Sequence, residues 1–337
     1  VPSATHFFGA SGTYFCGNSR RQRWQKAIIA SLDTSAPYMR AHRFSLTAAS
    51  ALSALLCIAP SAHSTGAIQI KDARQKYISF DKPVQRIVSL QPSFTEAICA
   101  LNACDRLVGV DRYSSWPAQI GNVPKVGSLR DPDLEKILAL KPDVVLVRPN
   151  HRLDEKLESL GIKVITLNAQ TYSDVERELE VLAILLGKPG EGARLWQQTG
   201  QRLEQFRTNM PPEWIGKKVY FELHSGMAAA GELSFIGQTL QRLGLVNIAS
   251  RDLPMYPKLS PEYVVRANPD VVITMADMVA PQPTERQGWS GINAVRHQRH
   301  CRIPSDNFDV MVRPGPRIDE AARQIVQCLQ RLTPPKN

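Results

Sequence analysis

A pattern of fifteen residues occurs twice in this chain. Asp133 to Val147 reads Asp-Leu-Glu-Lys-Ile-Leu-Ala-Leu-Lys-Pro-Asp-Val-Val-Leu-Val, and 127 residues later Ser260 to Thr274 reads Ser-Pro-Glu-Tyr-Val-Val-Arg-Ala-Asn-Pro-Asp-Val-Val-Ile-Thr. Each copy has a helix N-cap residue (Asp133, Ser260), a glutamate two positions on (Glu135, Glu262), a short helix, and a Pro-Asp-Val-Val step into an apolar strand. A cap, an acid, a Pro-Asp and a strand kept in one register predict two lobes of similar build. The chain is therefore read as α/β, with two Rossmann-like lobes built on parallel sheets.

At 337 residues and 43% hydrophobic content the chain can bury one or two sizeable cores. Its net charge of +10 looks basic, but Arg20, Arg21, Arg23, Lys26, Arg40 and Arg43 lie before residue 65, where Asp33 is the one acid, so half of the excess is there. The remainder has no basic run, and nucleic acid is not an expected partner.

Met39-Arg40-Ala41-His42-Arg43, the apolar run from Phe44 to Ala59 and the small-residue exit Ser61-Ala62-His63-Ser64 have the three parts of a secretory signal. The run is too short and alanine-rich for a membrane span, so export is expected. Lipid anchoring through Cys57 is disfavoured because Leu56 stands where a small residue is wanted. The expected organisation is an over-extended N-terminus over 1–38, a signal peptide over 39–64, an N-terminal lobe over 65–188, a backbone helix over 189–210 and a C-terminal lobe over 211–337. Four cysteines follow the signal, Cys99, Cys104, Cys301 and Cys328. An oxidising compartment permits disulfides between them, with Cys99 and Cys104 the closest pair, but the pairing is not readable from sequence.

After a hairpin over Ala67 to Phe80, strands and helices alternate. Strands are expected at 86–90, 107–110, 126–127, 144–147 and 164–167, with helices near 94–101, 134–140, 152–160 and 173–187. Alternation of this kind argues for parallel sheets covered on both faces. Glu191 to Met210, with Ala193, Trp196, Leu203, Phe206 and Met210 at helical spacing, reads as one rigid helix between the lobes, with Gly200 its soft spot. The second lobe repeats the alternation, with strands at 219–223, 271–275 and 301–303 and helices at 235–243, 288–295 and 316–332.

No phosphate loop, nucleophile elbow or zinc-protease motif is present, and no nucleophile is assembled with a base, so no catalytic residues, no metal ligands and no resident cofactor are expected. His297 and His300 are three apart and could share a helix face. What remains is a set of rings near strand ends: Tyr113, Trp116, Tyr256 and Phe308. Ligands of open α/β sheets sit beyond the carboxyl ends of strands. Two lobes facing each other there would enclose a cleft whose rings, with Ser93, Ser114 and Asp306, suit a large, flat, partly apolar ligand.

Arg86-Ile-Val-Ser-Leu-Gln-Pro-Ser-Phe-Thr-Glu96, Leu107-Val-Gly-Val-Asp-Arg-Tyr-Ser-Ser-Trp-Pro117, Leu134-Glu-Lys-Ile-Leu-Ala-Leu-Lys-Pro-Asp143 and Ser260-Pro-Glu262 together resemble the periplasmic cobalamin-binding proteins of ABC importers. The wider class, with one rigid helix between lobes, also serves haem and ferric siderophores. The resemblance runs from about residue 67 to 332. It implies a monomer that captures cobalamin or a related corrinoid and delivers it to a transmembrane permease. It places Ser93, Tyr113, Trp116, Leu129, Tyr256, Asp306 and Phe308 at the ligand, although Leu129 and Met227-Ala228 stand where the family has aromatic residues. It assigns Glu135 and Glu262 to permease docking. Haem or siderophore capture, through Tyr113, Tyr256 or His224, is the alternative cargo, and an enzyme of related two-lobe build is the alternative class.

Overall fold

The two Pro-Asp steps of the repeat do the same mechanical job in two different sheets. A computed structural model describes residues 67–335, so the expected N-terminal extension and signal peptide lie outside the described residues. The chain opens with an antiparallel hairpin, β1 (Ile68–Lys71) and β2 (Tyr77–Phe80). The first lobe follows as β3 (Ile87–Ser89), α1 (Pro92–Ala100), β4 (Leu107–Val110), α2 (Leu134–Ala139), β5 (Val144–Val147), α3 (His151–Ser159), β6 (Val164–Thr166) and α4 (Tyr172–Leu185). After α5 (Glu191–Thr208) the second lobe runs β7 (Lys218–His224), β8 (Ala228–Ala229), α6 (Phe235–Arg242), β9 (Val246–Asn247), α7 (Pro261–Ala267), β10 (Val271–Met275), α8 (Asn293–Arg296), β11 (His300–Ile303), α9 (Ser305–Val312) and α10 (Ile318–Arg331).

The first sheet has the order β4-β3-β5-β6, parallel throughout, and the second has the order β11-β10-β7-β8 with β9 also beside β7. Only the short β8 pairs antiparallel in the second sheet. Every residue of β5 is buried, as a strand covered on both faces requires.

In the first lobe the Asp143 N–H donates to the Arg86 carbonyl at 2.8 Å, and the Asp143 carboxylate accepts the Arg86 N–H at 2.9 Å. In the second, the Asp270 N–H donates to the Lys218 carbonyl at 2.8 Å while its carboxylate accepts the Lys218 N–H at 2.9 Å. Each aspartate thus locks the start of β5 or β10 onto the start of its neighbour, β3 or β7. The helices are capped as the sequence predicts: Asp133 accepts the Lys136 N–H, and Ser260 accepts the Tyr263 N–H. Lys141 and Asn268, each one residue before the proline, both take positive φ, 46° and 50°, so the turn out of the helix is also repeated.

Helix α5 packs along α4 with its first half and along α10 with its second. Gly192 permits the first contact, since a Cβ there would lie 2.4 Å from the Leu179 carbonyl oxygen. The Glu180 carboxylate accepts the N–H groups of Gly190 and Ala193 at 2.7 and 3.1 Å, fixing the start of α5 to α4. Further along, the Trp196 ring meets the edge of Tyr172 at 5.3 Å, Thr199 donates its hydroxyl to the Pro316 carbonyl at 3.2 Å, and Arg202 pairs with Asp319 at 2.5 Å. Disulfides join Cys99 to Cys104 and Cys301 to Cys328, the second tying β11 to α10.

Four expectations need correction. Residues 126–127 do not form a strand: only isolated bridges occur there, at Lys125 and Gly127, because the chain turns at Gly127, whose φ is +86° and whose Cβ position is filled by the Asp131 carbonyl oxygen. Over 288–295 a short 3-10 turn at Trp289–Gly291 precedes the four-residue α8, with Gly288 left-handed and the Trp289 ring buried. Pro316 lies ahead of α10 and not at its first position. Ala193 is exposed, and the buried face of α5 is formed by Gly192, Thr199 and Leu203 with Met210 just beyond its end.

Candidate functional site

Besides α5, contacts among the described residues cross between the lobes at the start of α4 and around α1. At the start of α4 the Tyr172 hydroxyl lies 3.0 Å from the Thr239 hydroxyl, its ring packs 5.4 Å from that of Phe235 with the Arg242 guanidinium over it at 4.4 Å, and the Phe235 N–H donates to the Gln170 carbonyl at 2.7 Å. The other group centres on Glu96 of α1, which is 2% exposed. Its carboxylate pairs with Arg313 at 2.9 Å and Arg317 at 3.6 Å, both from the turn between α9 and α10. Arg313 also reaches the Tyr113 carbonyl at 3.4 Å, and Arg317 lies over the Trp116 ring at 4.2 Å. Burial raises the Glu96 pKa even with two arginines opposing it. We take burial as the stronger effect, so the pair fixes position more than it adds stability.

Between α1, α4 and the Pro314–Gly315 turn lies a small pocket at this seam, lined by Ser93, Phe94, Ala97, Val175, Glu178 and Leu179 among others. Glu178 is the unexpected member. Its Oε1 is fully enclosed and has no hydrogen-bond partner among the described residues. Burial pushes its pKa up to about 7, against the N–H groups of Ala169 and Asn168 and the charge of Arg148, with Asp174 adding to the rise. Arg148 leaves the end of β5, donates to Asn168 Oδ1 at 2.9 Å, and acts on Tyr256 of the other lobe.

The raised pKa has a sign that can be tested. The folded state holds the Glu178 proton more tightly than the unfolded chain, so this group's contribution is greatest below the ordinary glutamate range and is lost as pH rises from about 4.5 to 7. Glu178→Gln should remove about 2–3 kcal/mol of the decline in unfolding free energy between pH 5 and pH 8, read by urea denaturation of both proteins. Equal declines in the two proteins would show the carboxyl to be solvated.

Tyr113 and Tyr256 keep exposed rings at the seam, 63% and 45% accessible. Trp116 is half-buried beneath Arg317, and Ser93 is buried in the first turn of α1, where it lines the pocket. Leu129 is half-buried against the core under the first sheet, its carbonyl accepting from Asn150 at 3.2 Å. Ser114 is buried and bonded to Asp111 and Thr95, so it does not face a ligand. Asp306 and Phe308 do not share a wall. Residues 305–312 are helical, so positions two apart point to opposite sides: Asp306 is exposed, while Phe308 is 3% exposed and stacks on Phe221 at 5.4 Å in the core.

His297 and His300 do not share a helix face. His297 ends α8 and His300 begins β11, where its Nε2 lies 2.8 Å from the Thr274 hydroxyl and burial lowers its pKa to about 4. His224 is exposed at the end of β7. Glu135 and Glu262 are exposed in the first turns of α2 and α7, and the Glu262 pKa is lowered by its own backbone N–H and the Ser260 hydroxyl.

Two parallel-sheet lobes, a rigid helix joining them and a seam that holds exposed tyrosines define a solute-binding protein with a helical backbone. The chain belongs to the periplasmic binding protein family, whose model matches residues 87–307. It is 29% identical over 274 residues to the uncharacterized ABC transporter substrate-binding lipoprotein YvrC of Bacillus subtilis, covering 78% of this chain and 85% of that protein. The crystal structure of the periplasmic vitamin B12 binding protein BtuF of Vibrio cholerae matches with a TM-score of 0.60 and 26% identity, over 74% of this chain and 97% of that one. The periplasmic haem-binding protein HutB of Vibrio cholerae matches equally, with a TM-score of 0.60 and 26% identity over 73% and 98%.

Proposed function

We propose that this protein is exported by the signal over 39–64, captures cobalamin or a related corrinoid between its lobes, and delivers it to the permease of an ABC importer without catalysing a reaction. The observation that carries the reading is the pair Tyr113 and Tyr256, large rings left exposed at the lobe seam. Flat rings from two walls suit a macrocycle, since stacking on each adds to the area buried. The similarity to a vitamin B12 binding protein supports the corrinoid. The docking surface in this reading is Glu135 and Glu262, one on each lobe.

Haem is the second reading, favoured by the equal likeness to a haem-binding protein and by Tyr256 and His224, both exposed and able to ligate iron. The deciding measurement is a titration of the purified protein with cyanocobalamin, haemin and a ferric siderophore, followed by tryptophan fluorescence. Saturable quenching by cyanocobalamin is expected. Tight haemin binding with no response to cobalamin would replace the first reading by the second.

A further inference from the structure

The Tyr113 ring is 63% exposed, so its direction is set by the backbone that carries it more than by packing. That backbone is held from both lobes. On its own side the Tyr113 N–H donates to Asp111 Oδ1 at 2.8 Å, while the next residue, Ser114, donates its hydroxyl to Asp111 Oδ2 and lies 3.0 Å from the Thr95 hydroxyl of α1. From the other lobe Arg313 Nη2 donates to the Tyr113 carbonyl at 3.4 Å, and the Arg317 guanidinium covers the Trp116 ring of the same loop at 4.2 Å. We propose that Arg313 and Arg317 are positioning residues, which aim the Tyr113 ring at the cargo from the opposite lobe. The proposal rests on the corrinoid reading, in which Tyr113 is one wall of the site, and deepens it by naming what orients that wall.

The two arginines are themselves fixed. Glu96 Oε1 accepts from Arg313 Nη1 at 2.9 Å and lies 3.6 Å from Arg317, while Asp309 and Glu320 hold the same side chains from their own lobe. Thr95 and Glu96 are consecutive on α1, so the loop and the arginines that grip it share one turn of helix as their footing. A guanidinium suits the task because its fork of donors can satisfy Glu96, Asp309 and a carbonyl at once, and its flat face can lie on an indole. A lysine carries the charge without the fork.

Holding the ring in place spares the ligand the cost of ordering it, on the order of threefold to tenfold in affinity. At 3.4 Å the carbonyl contact is near the limit of a hydrogen bond. A small parting of the lobes would therefore release it, and the ring would swing before the cleft had opened.

The test is a double-mutant cycle read by cyanocobalamin binding. Arg313→Lys should weaken binding by about threefold to tenfold in the parent protein and by less than about twofold in a Tyr113→Ala protein, since a ring that is absent cannot be misdirected. Arg317→Met, which keeps an apolar stem over Trp116, should show the same pattern. A second readout needs no ligand: the fluorine NMR resonance of fluorotyrosine at position 113 should move towards that of the free amino acid in both variants, while unfolding in urea stays cooperative. Equal losses of affinity with and without the Tyr113 ring, or a resonance that neither substitution moves, would overturn the positioning role and leave the corrinoid reading intact. Failure of the parent to bind cyanocobalamin, with the resonance moving as expected, would overturn the corrinoid reading and leave the arginines as positioning residues for another cargo.

Discussion

Glu96→Ala should cost the folded protein about 3–5 kcal/mol, because it strands two arginine charges in a seam that holds them away from water. Arg313 and Arg317 have side chains only 12% and 14% exposed, and Glu96 is their shared partner across the lobes. Each also has an acid in its own lobe, Asp309 for Arg313 and Glu320 for Arg317. Those acids are more exposed and compensate in part. Glu96→Gln, which keeps the shape and one acceptor, should cost less than half as much. Urea denaturation of the three proteins reads the difference. A loss below about 1 kcal/mol for the alanine variant would show that the arginines settle on their local acids and that Glu96 does not hold the seam.

Replacing Glu135 and Glu262 together by alanine should abolish uptake in cells that depend on the protein, while ligand affinity of the purified variant stays as before. Both carboxylates are exposed, and as first-turn acids each contributes to its helix only about 0.3–1 kcal/mol through the macrodipole. The fold therefore survives their loss. At an interface each would engage an arginine fork, and truncating one such pair costs about 2–5 kcal/mol, so losing two weakens docking by a thousandfold or more. The single variants should each retain partial uptake. A large loss of ligand affinity in the double variant would place the acids in the cleft or the fold and remove the docking role.

How far these sites could be read in advance depended on whether a residue's role was local. The Pro-Asp steps were legible because the cap, the turn and the strand entry are all written within fifteen residues, although the aspartate clamp onto Arg86 and Lys218 is a long-range contact that no local pattern announces. The family resemblance places both Asp306 and Phe308 at the ligand, which no local pattern corrects. The helix over 305–312 turned Phe308 into the core. Glu178 gave no signal at all. It sits in the run Glu176-Arg177-Glu178-Leu179-Glu180, which reads as a solvated helix face, and only the approach of α1 and the Pro314–Gly315 turn encloses its carboxyl.

Helix α5 has a consequence for delivery. Eighteen unbroken helical residues, about 27 Å long at 1.5 Å each, are fastened to α4 at one end and α10 at the other. Such a member behaves like the bow of a caliper: it sets the gap between the jaws and yields little when something is placed between them. Glu135 and Glu262, one on each jaw, would then present nearly the same spacing whether the protein is loaded or empty. A permease that gripped both acids could dock either form, so the signal that cargo has arrived would have to come from the mouth of the cleft and not from the distance between the handles.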